Sequence, residues 1–497
     1  MASGKKYKIL FITSELFPFV KTGGLADVSA SLPQELAELG HEIRIVMPRY
    51  GAIDTRKFKI HDVVRLKDFS VRLGDKDVIF SVKSSFLPNM KNRVQVYFLD
   101  NDEYFGNRKS LYVDMLTGLP YPDNDERFVL FSRGIFELIK KLGWAPDIIH
   151  ANDWQTALAP AFLKTLYNED EFFKKCRAVT TIHNFEYGGE FPIESFHKTG
   201  LSEDLNNDSY IIHDGKVNFL KAGIIFSDHL NTVSPGHRNE LLTNPELSNG
   251  LNEILCKKGD AFSGIINGVD KKVWNPATDK LIIKNYDIRS VENKYINKKN
   301  LVERFGLVYD NTIPVFSIIS RLYDYKGVDL IEQCLPELIK HNLQIVLLGT
   351  GEMKYLKIFD EYAKKYPSKF ACYLGFNDEL AHLIEAGADF YLMPSKTEPC
   401  GLNQMYSLLY GTIPIVRKTG GLSDTVVDFN SSHSNPTGFM FEDYSGAALL
   451  EQINKAMALY KKKDELIALM RNGMRTDFSW QVSAKKYVEL YKNILAG

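Results

Sequence analysis

The sequence has little cysteine and no pattern in the cysteine it has. Cys176, Cys256, Cys334, Cys372 and Cys400 are scattered, and none forms a CxxC pair. An odd, unpatterned set argues against a disulfide framework and against a zinc site, and it fits a reducing compartment. The chain also lacks an excess of charge of either sign, with a formal net charge of -1. No global field draws it toward nucleic acid or anionic lipid, so any anion site has to be built locally. No apolar run approaches membrane-spanning length. The basic start, Met1 to Lys8, leads directly into an apolar stretch too short for a signal peptide. These absences predict a cytoplasmic protein with no membrane partner; a removed plastid transit peptide would leave no trace here. Low-complexity tracts and short-period repeats are missing too. So are the GxGxxG and Walker spacings, which disfavours an NAD-dependent oxidoreductase or an NTPase. No cluster of metal ligands stands out, and neither a metal nor a cofactor is expected.

What is present reads as a large soluble α/β chain. It has 497 residues, 44% of them apolar and 25% charged, and that length predicts two domains. Short β-branched runs alternate with amphipathic stretches. Lys8 to Thr13 reads as a buried strand, followed by a helix with Val28, Leu32, Leu36 and Leu39 on one side and Gly40 at its end. Further strands are expected at Glu42 to Met47, Asp147 to Ala151, Ala178 to His183 and His229 to Val233. A second series comprises Val315 to Ser320, Gln344 to Leu348, Ala371 to Leu374, Asp389 to Met393 and Thr412 to Val416. This βαβ rhythm implies parallel sheets covered on both faces. The lysine- and asparagine-rich stretch from Asn267 to Asn311 reads as a linker. The last helix is expected from Trp480 to Ile494, capped by Asp477-Phe478-Ser479.

One segment occurs twice. Lys21-Thr22-Gly23-Gly24-Leu25-Ala26-Asp27 returns as Lys418-Thr419-Gly420-Gly421-Leu422-Ser423-Asp424, with six of seven positions identical. Each copy is expected to follow a strand and open a helix. Two similar domains, each with a glycine turn at the carboxyl end of a strand, would form a cleft with both turns on its walls. Such a turn offers backbone N–H groups and the positive end of a helix dipole to a phosphate or sugar oxygen.

Other residues at strand ends carry chemistry. Arg321 and Lys326 share one loop, where a guanidinium fork and an ammonium suit a diphosphate. Glu398, in Glu398-Pro399-Cys400-Gly401-Leu402, reads either as a carboxylate aimed at a sugar or as one satisfying a helix N-terminus. Gly401 is expected to open that helix. Asp153 and His183 each end a strand and suit an acceptor hydroxyl or proton transfer. Trp154 reads as core or as a sugar-stacking wall, with core favoured. Phe376 reads as a ring for a nucleotide base or as packing within its domain.

Together these segments resemble the bacterial glycogen synthases and plastid starch synthases, retaining glucosyltransferases. The matching pieces are Ser14-Glu15 with KTGGLADV (Lys21 to Val28), HANDWQTALAP (His150 to Pro160), TIHN (Thr181 to Asn184) and LKAGI (Leu220 to Ile224). Then come INGVD (Ile266 to Asp270), SRL…KG (Ser320 to Gly327), PSKTEPCGL (Pro394 to Leu402), KTGGLSDTV (Lys418 to Val426) and a closing W-Q…A…Y from Trp480 to Tyr491. They run in family order over nearly the whole chain. The resemblance implies a GT-B fold, two Rossmann-like domains with parallel sheets facing each other across a deep cleft. It implies an N-terminal acceptor-side domain (1–270), a nucleotide-sugar domain (271–477) and a C-terminal helix (478–497) crossing back to the first.

The same resemblance implies transfer of glucose from ADP-glucose to the non-reducing end of an α-1,4-glucan, with retention of configuration. Lys21, Gly23 and Gly24 would contact the donor, Arg321 and Lys326 would neutralise the diphosphate, and Glu398 would be the family's essential glutamate. Asp153 and His183 would be the active-site acid and histidine. Thr419, Gly420 and Gly421 would cradle the distal phosphate. Asn184, Cys400, Gly401 and Leu402 would complete the substrate site. Phe376 stands where the family has a tyrosine, which keeps the ring near adenine and loses the hydroxyl. UDP-glucose as donor, another GT-B glucosyltransferase and a catalytically silent glucan-binding homologue are the competing expectations.

Overall fold

The computed structural model describes residues 5–88, 93–431 and 435–496. The chain forms two compact units. The first runs to Val233, resumes over Glu240–Gly268 and takes in the chain from Trp480; the second comprises Ser234–Asn239 and Val269–Ser479.

The first unit is built on a twisted sheet whose strands are β1 (Lys8–Ile12), β2 (Glu42–Pro48), β3 (His61–Asp62), β4 (Phe69–Leu73), β5 (Lys76–Phe86), β6 (Gln95–Asp100), β7 (Ile148–Asn152) and β8 (Arg177–Ile182). A small separate sheet holds β9 (Glu190–Phe191), β10 (Ile212–His213) and β11 (Lys216–Asn218), and the main sheet is completed by β12 (His229–Thr232) and β13 (Phe262–Gly264). The main order is β13-β12-β8-β7-β1-β2-β6-β5-β3, with β4 paired to β5. Strand β1 lies between β2 and β7, both parallel to it, with Ile9 opposite Ile43 and Ile148. Ile9 to Ile12 are fully buried because helices cover both faces of a parallel sheet, which is why these strands read as continuous apolar runs.

Strands β3, β4 and β5 pair antiparallel at one edge of this sheet. The sequence reading had no strands there. In β4, Phe69, Val71 and Leu73 are buried while Ser70 and Arg72 are exposed, a period of two that only a one-sided sheet produces.

The second unit has an all-parallel sheet of β14 (Val315–Leu322), β15 (Gln344–Gly351), β16 (Phe370–Leu374), β17 (Phe390–Met393), β18 (Ile413–Arg417) and β19 (Phe439–Phe441). Its order is β16-β15-β14-β17-β18-β19. The strand order therefore reverses between β14 and β17, and ligands of doubly wound sheets bind at such a point. In the first unit the corresponding reversal lies between β1 and β7.

Three expectations need correction. The stretch Asn267–Asn311 is no linker: from Val269 onward it is part of the second unit. Its helix Lys294–Arg304 buries Lys294, Asn297 and Lys298. Lys294 Nζ donates to the carbonyls of Glu385 and Ala386 (2.9 and 3.0 Å) and to Thr412 Oγ1 (2.7 Å), while Lys298 Nζ meets Asp389 Oδ2 at 2.7 Å. Trp274 stacks between His382 and Tyr406 at 3.8 and 4.0 Å. Two lysines of this stretch, Lys294 and Lys298, are buried with partners, a pattern that composition does not reveal. Next, the first glycine turn does not directly follow its strand, since residues 13–23 separate β1 from the helix Gly24–Glu38. Finally, Gly401 does not open a helix. It takes φ +73 in the turn before the helix Asn403–Leu409.

The C-terminal helix, Trp480–Ala496, packs in the first unit's core. Tyr491 shares a 2.7 Å hydrogen bond with His150 Nδ1, and Tyr487 accepts one of 2.9 Å from Asn231 Nδ2. Among the described residues no helix is long and apolar enough to cross a membrane.

Candidate functional site

In the second unit, the candidate residues Arg321, Lys326 and Glu398 gather at the reversal point. Strand β14 ends in Arg321-Leu322, and a single 3-10 turn, Asp324–Lys326, brings the chain to Gly327. Gly327 has φ +72, and a Cβ there would sit 2.0 Å from the Pro394 carbonyl oxygen. Only glycine lets this loop close against the segment that follows β17. The closure places Lys326 Nζ 2.6 Å from Glu398 Oε2, which also accepts from Ser395 Oγ at 3.1 Å. Glu398 therefore serves a side-chain pair and does not cap a helix. Arg321 is exposed, its guanidinium 5.7 Å from the Tyr325 ring centre. A cavity of about 180 Å³ is lined by Arg321, Lys326, Ser395, Glu398, Gly401 and Leu402, among others. Its floor is stiffened by Asn403, whose Nδ2 donates to the Ile319 carbonyl at 2.8 Å.

The glycine turn after β18 supports this cavity from behind. The Gly421 N–H donates to the Glu398 carbonyl at 3.0 Å, and a Cβ on Gly421 would lie 2.1 Å from the Cys400 carbonyl oxygen. That amide is taken by the protein itself, and buried Cys400 and Thr419 are packed in the same seam. Gly420, with φ +41, begins a helix of six residues, Gly420–Thr425. Phe376 lies apart, beyond β16 at the sheet edge, and is 86% exposed. Its ring is not packed within the unit, which removes one of its two readings.

In the first unit, Asp153 follows β7 and His183 follows β8, on adjacent parallel strands. Asp153 takes φ +56, uncommon for a residue with a Cβ. Its carboxylate accepts the His183 N–H at 2.6 Å. Burial pushes the Asp153 carboxyl up to about 7, opposed by the His183 and Asn184 amides and reinforced by the charge of Glu15. His183 Nε2 lies 2.9 Å from Asn152 Oδ1, an acceptor, so Nε2 carries the hydrogen and Nδ1 the lone pair. Burial lowers His183 to about 3, which keeps the ring neutral. Asn184 turns the chain by accepting the Glu186 N–H at 2.9 Å. Trp154 packs against Phe128 at 4.8 Å and is half-buried against the core.

The first glycine turn differs from the second. At Gly23 and Gly24 an added Cβ would meet nothing within 4 Å, and neither residue has positive φ. The fold does not require glycine there, so the vacant space is available to something outside the chain. Lys21 Nζ is paired with Asp27 at 2.7 Å. The Thr22 and Gly23 amides are not free, because both donate to Glu15 Oε2 (2.6 and 3.2 Å). In the sequence Glu15 stands out only as part of a family-matching segment, with no chemistry of its own. Its distance in sequence from its partner Tyr112 hid the connection.

Comparison with known proteins identifies the relatives of this chain. A family model described as the starch synthase catalytic domain matches residues 8–257, and one described as glycosyl transferases group 1 matches residues 302–473. The glycogen synthase of Geotalea daltonii is 43% identical over 491 residues, covering 98% of this chain and 99% of that protein. That of Thermotoga maritima is 41% identical over 492 residues, covering 98% and 99%. Among solved structures, the catalytic domain of starch synthase IV from Arabidopsis thaliana, bound to ADP and acarbose, superposes with a TM-score of 0.87 at 30% identity. The match covers 99% of this chain and 100% of that one. The sucrose-phosphate synthase of Thermosynechococcus elongatus shares the fold, with a TM-score of 0.59 at 16% identity over 99% of this chain and 100% of that one. The fold is GT-B, and the chain belongs to the glycogen and starch synthase family of glycosyltransferases.

Proposed function

We propose that the chain transfers glucose from ADP-glucose to the non-reducing end of an α-1,4-glucan with retention of configuration. The observation that carries this reading is the Lys326–Glu398 pair beside Arg321 at the sheet's reversal point. The ADP and acarbose named for the Arabidopsis relative support the nucleotide and the glucan. The bacterial relatives support a cytoplasmic setting.

In this mechanism Arg321 and Lys326 neutralise the diphosphate as the bond from C1 to its phosphate oxygen breaks, and such electrostatic stabilisation is the largest catalytic contribution. Glu398 orients Lys326 and stabilises the positive charge that develops at C1. The acceptor 4-hydroxyl attacks from the face the phosphate leaves, its oxygen bonding to C1 and its proton passing to the departing phosphate oxygen. Lys21, Gly23 and Gly24 contact the donor; Thr419, Gly420 and Gly421 shape the distal phosphate's surroundings, with Cys400, Gly401 and Leu402 beside the sugar. Phe376 offers its exposed ring to adenine. Asp153, His183 and Asn184 bind sugar hydroxyls, with neutral His183 presenting Nδ1 as an acceptor.

The test is glucan elongation with ADP-glucose and UDP-glucose side by side, for the wild type and for Arg321→Ala and Glu398→Ala. We expect a preference for ADP-glucose and a loss of about a hundredfold or more in each variant. Wild-type turnover by both folded variants would reject the residue roles, and a preference for UDP-glucose would reject the donor.

A further inference from the structure

We propose that Glu15 is a positioning residue for the donor, acting with Tyr112 by holding the Lys21–Gly24 turn from within. The proposal rests on the reading that this turn contacts the nucleotide sugar. Glu15 lies in the loop after β1 and is 4% exposed. Four donors converge on its carboxylate. Oε2 receives the amides of Thr22 at 2.6 Å and Gly23 at 3.2 Å. Oε1 receives the Thr22 hydroxyl at 2.5 Å and the Tyr112 hydroxyl at 2.9 Å.

Tyr112 has one hydrogen and two partners, Glu15 Oε1 and Ser14 Oγ (2.8 Å). A carboxylate only accepts, so the hydrogen goes to Glu15 while the serine hydroxyl is free to rotate. Burial holds Tyr112 well above its ordinary value, which keeps it a donor. The far side of the loop is fixed as well: Thr13 Oγ1 donates to the Glu15 carbonyl at 2.8 Å and lies 2.9 Å from Ser29 Oγ on the helix Gly24–Glu38.

An internal anion thus occupies the amides that precede the helix. The inner side of the turn is anchored by charge-assisted bonds, and its outer side, at Gly23 and Gly24, is open. A turn held in this way meets the donor in one conformation, so binding does not have to order it. Glutamine cannot replace the carboxylate. Its NH2 would face a donor at two of the four contacts.

The experiment measures glycogen elongation by the full chain, varying ADP-glucose at saturating glycogen and then the reverse. The variants are Glu15→Gln, Tyr112→Phe, the double variant and Gly24→Val, each with a thermal unfolding curve. We expect Glu15→Gln to raise the ADP-glucose KM about tenfold or more and Tyr112→Phe to raise it severalfold, with the glycogen KM within about twofold of wild type. Tyr112→Phe should add nothing in the Glu15→Gln background, because the hydroxyl acts through the carboxylate. Donor KM values unchanged in both single variants while Gly24→Val raises its own would overturn the proposal and leave the donor reading standing. Equal rises in both substrates' KM would overturn it too, as a general structural effect. An unchanged donor KM in Gly24→Val would remove the donor reading and the proposal with it. If Glu15→Gln does not fold, Tyr112→Phe decides by the same criteria.

Discussion

At the residue scale, the two copies of one heptapeptide use glycine for opposite reasons. Gly421 is required by the protein's own packing, whereas Gly24 has open space around it. Gly421→Ala should destabilise the fold by about 2 kcal/mol or more, since its Cβ must push a backbone carbonyl aside. Gly24→Ala should fold at least as stably as wild type, because alanine is the better helix former by about 0.5–1 kcal/mol. Its elongation rate should nonetheless fall about tenfold, as the methyl group takes the donor's space. Denaturant unfolding and initial rates on both variants check this pair. Asp153 supplies a pH prediction. With its carboxyl pushed up to about 7, its ionised fraction grows as pH rises through neutrality. If the ionised form binds the acceptor, the rate should fall as pH drops below about 7. Asp153→Asn should be slow and should lack that limb. Asp153 was legible in the sequence as a strand-end group. Glu15 was not, because its role depends on a hydroxyl at Tyr112 that only folding brings near.

At the element scale, the helix Lys294–Arg304 shows where composition misleads. Its lysines looked like a solvated linker, yet Lys298 and Asp389 are 1% and 2% exposed and paired at 2.7 Å. Asp389 also accepts the Val315 N–H at 2.8 Å, so the pair fastens this helix at the root of β14. Lys298→Met would strand a buried carboxylate and should cost about 3–5 kcal/mol. Urea unfolding of the variant measures this directly, and a loss below about 1 kcal/mol would show that the pair contributes little. Most parallel strands of both units were readable because burial on two faces demands unbroken apolar runs, but β6, β13 and β19, parallel as well, were not among those expected. Strands β4 and β5 were not readable, because their one-sided burial leaves a weaker, alternating signal, and β3 is two exposed residues with no burial pattern at all.

At the scale of the whole molecule, each unit carries candidate site residues near the reversal point of its sheet, and the C-terminal helix completes the core of the first unit. Removing residues 480–497 would expose His150, Asn231 and the apolar surface covered by Trp480, Tyr487 and Tyr491. The truncated chain should lose the first unit's cooperative unfolding transition and retain that of the second, which calorimetry resolves. The first unit should also be acid-sensitive. Burial lowers His150 and His183 to about 3 and His229 to about 4, against 6.5 for the free side chain. Above about pH 6.5 neither state binds these protons. Below it the unfolded chain takes them up and the folded chain does not, so stability is lost as pH falls toward 4. Asp153, raised from 3.8 to about 7, opposes this trend, as does Asp27, raised by burial, while His41, lowered by burial, adds to it. His150→Gln should flatten the slope of unfolding free energy against pH by about 1.4 kcal/mol per unit, and an unchanged slope would contradict the assignment.

The amino-acid sequence by itself determined the parallel strands at the centre of each sheet, the strand-end positions of Arg321, Glu398, Asp153 and His183, and the family they signal. These follow from local periodicity and from motifs contiguous along the chain. Tertiary structure alone decided that Lys326 pairs with Glu398, that one glycine turn is packed and the other open, and that Glu15 takes the amides of Thr22 and Gly23. Each of these depends on a few ångströms between groups distant in sequence or on opposite sides of a turn. No pattern of neighbouring residues encodes such distances, which are set by how whole strands and helices pack.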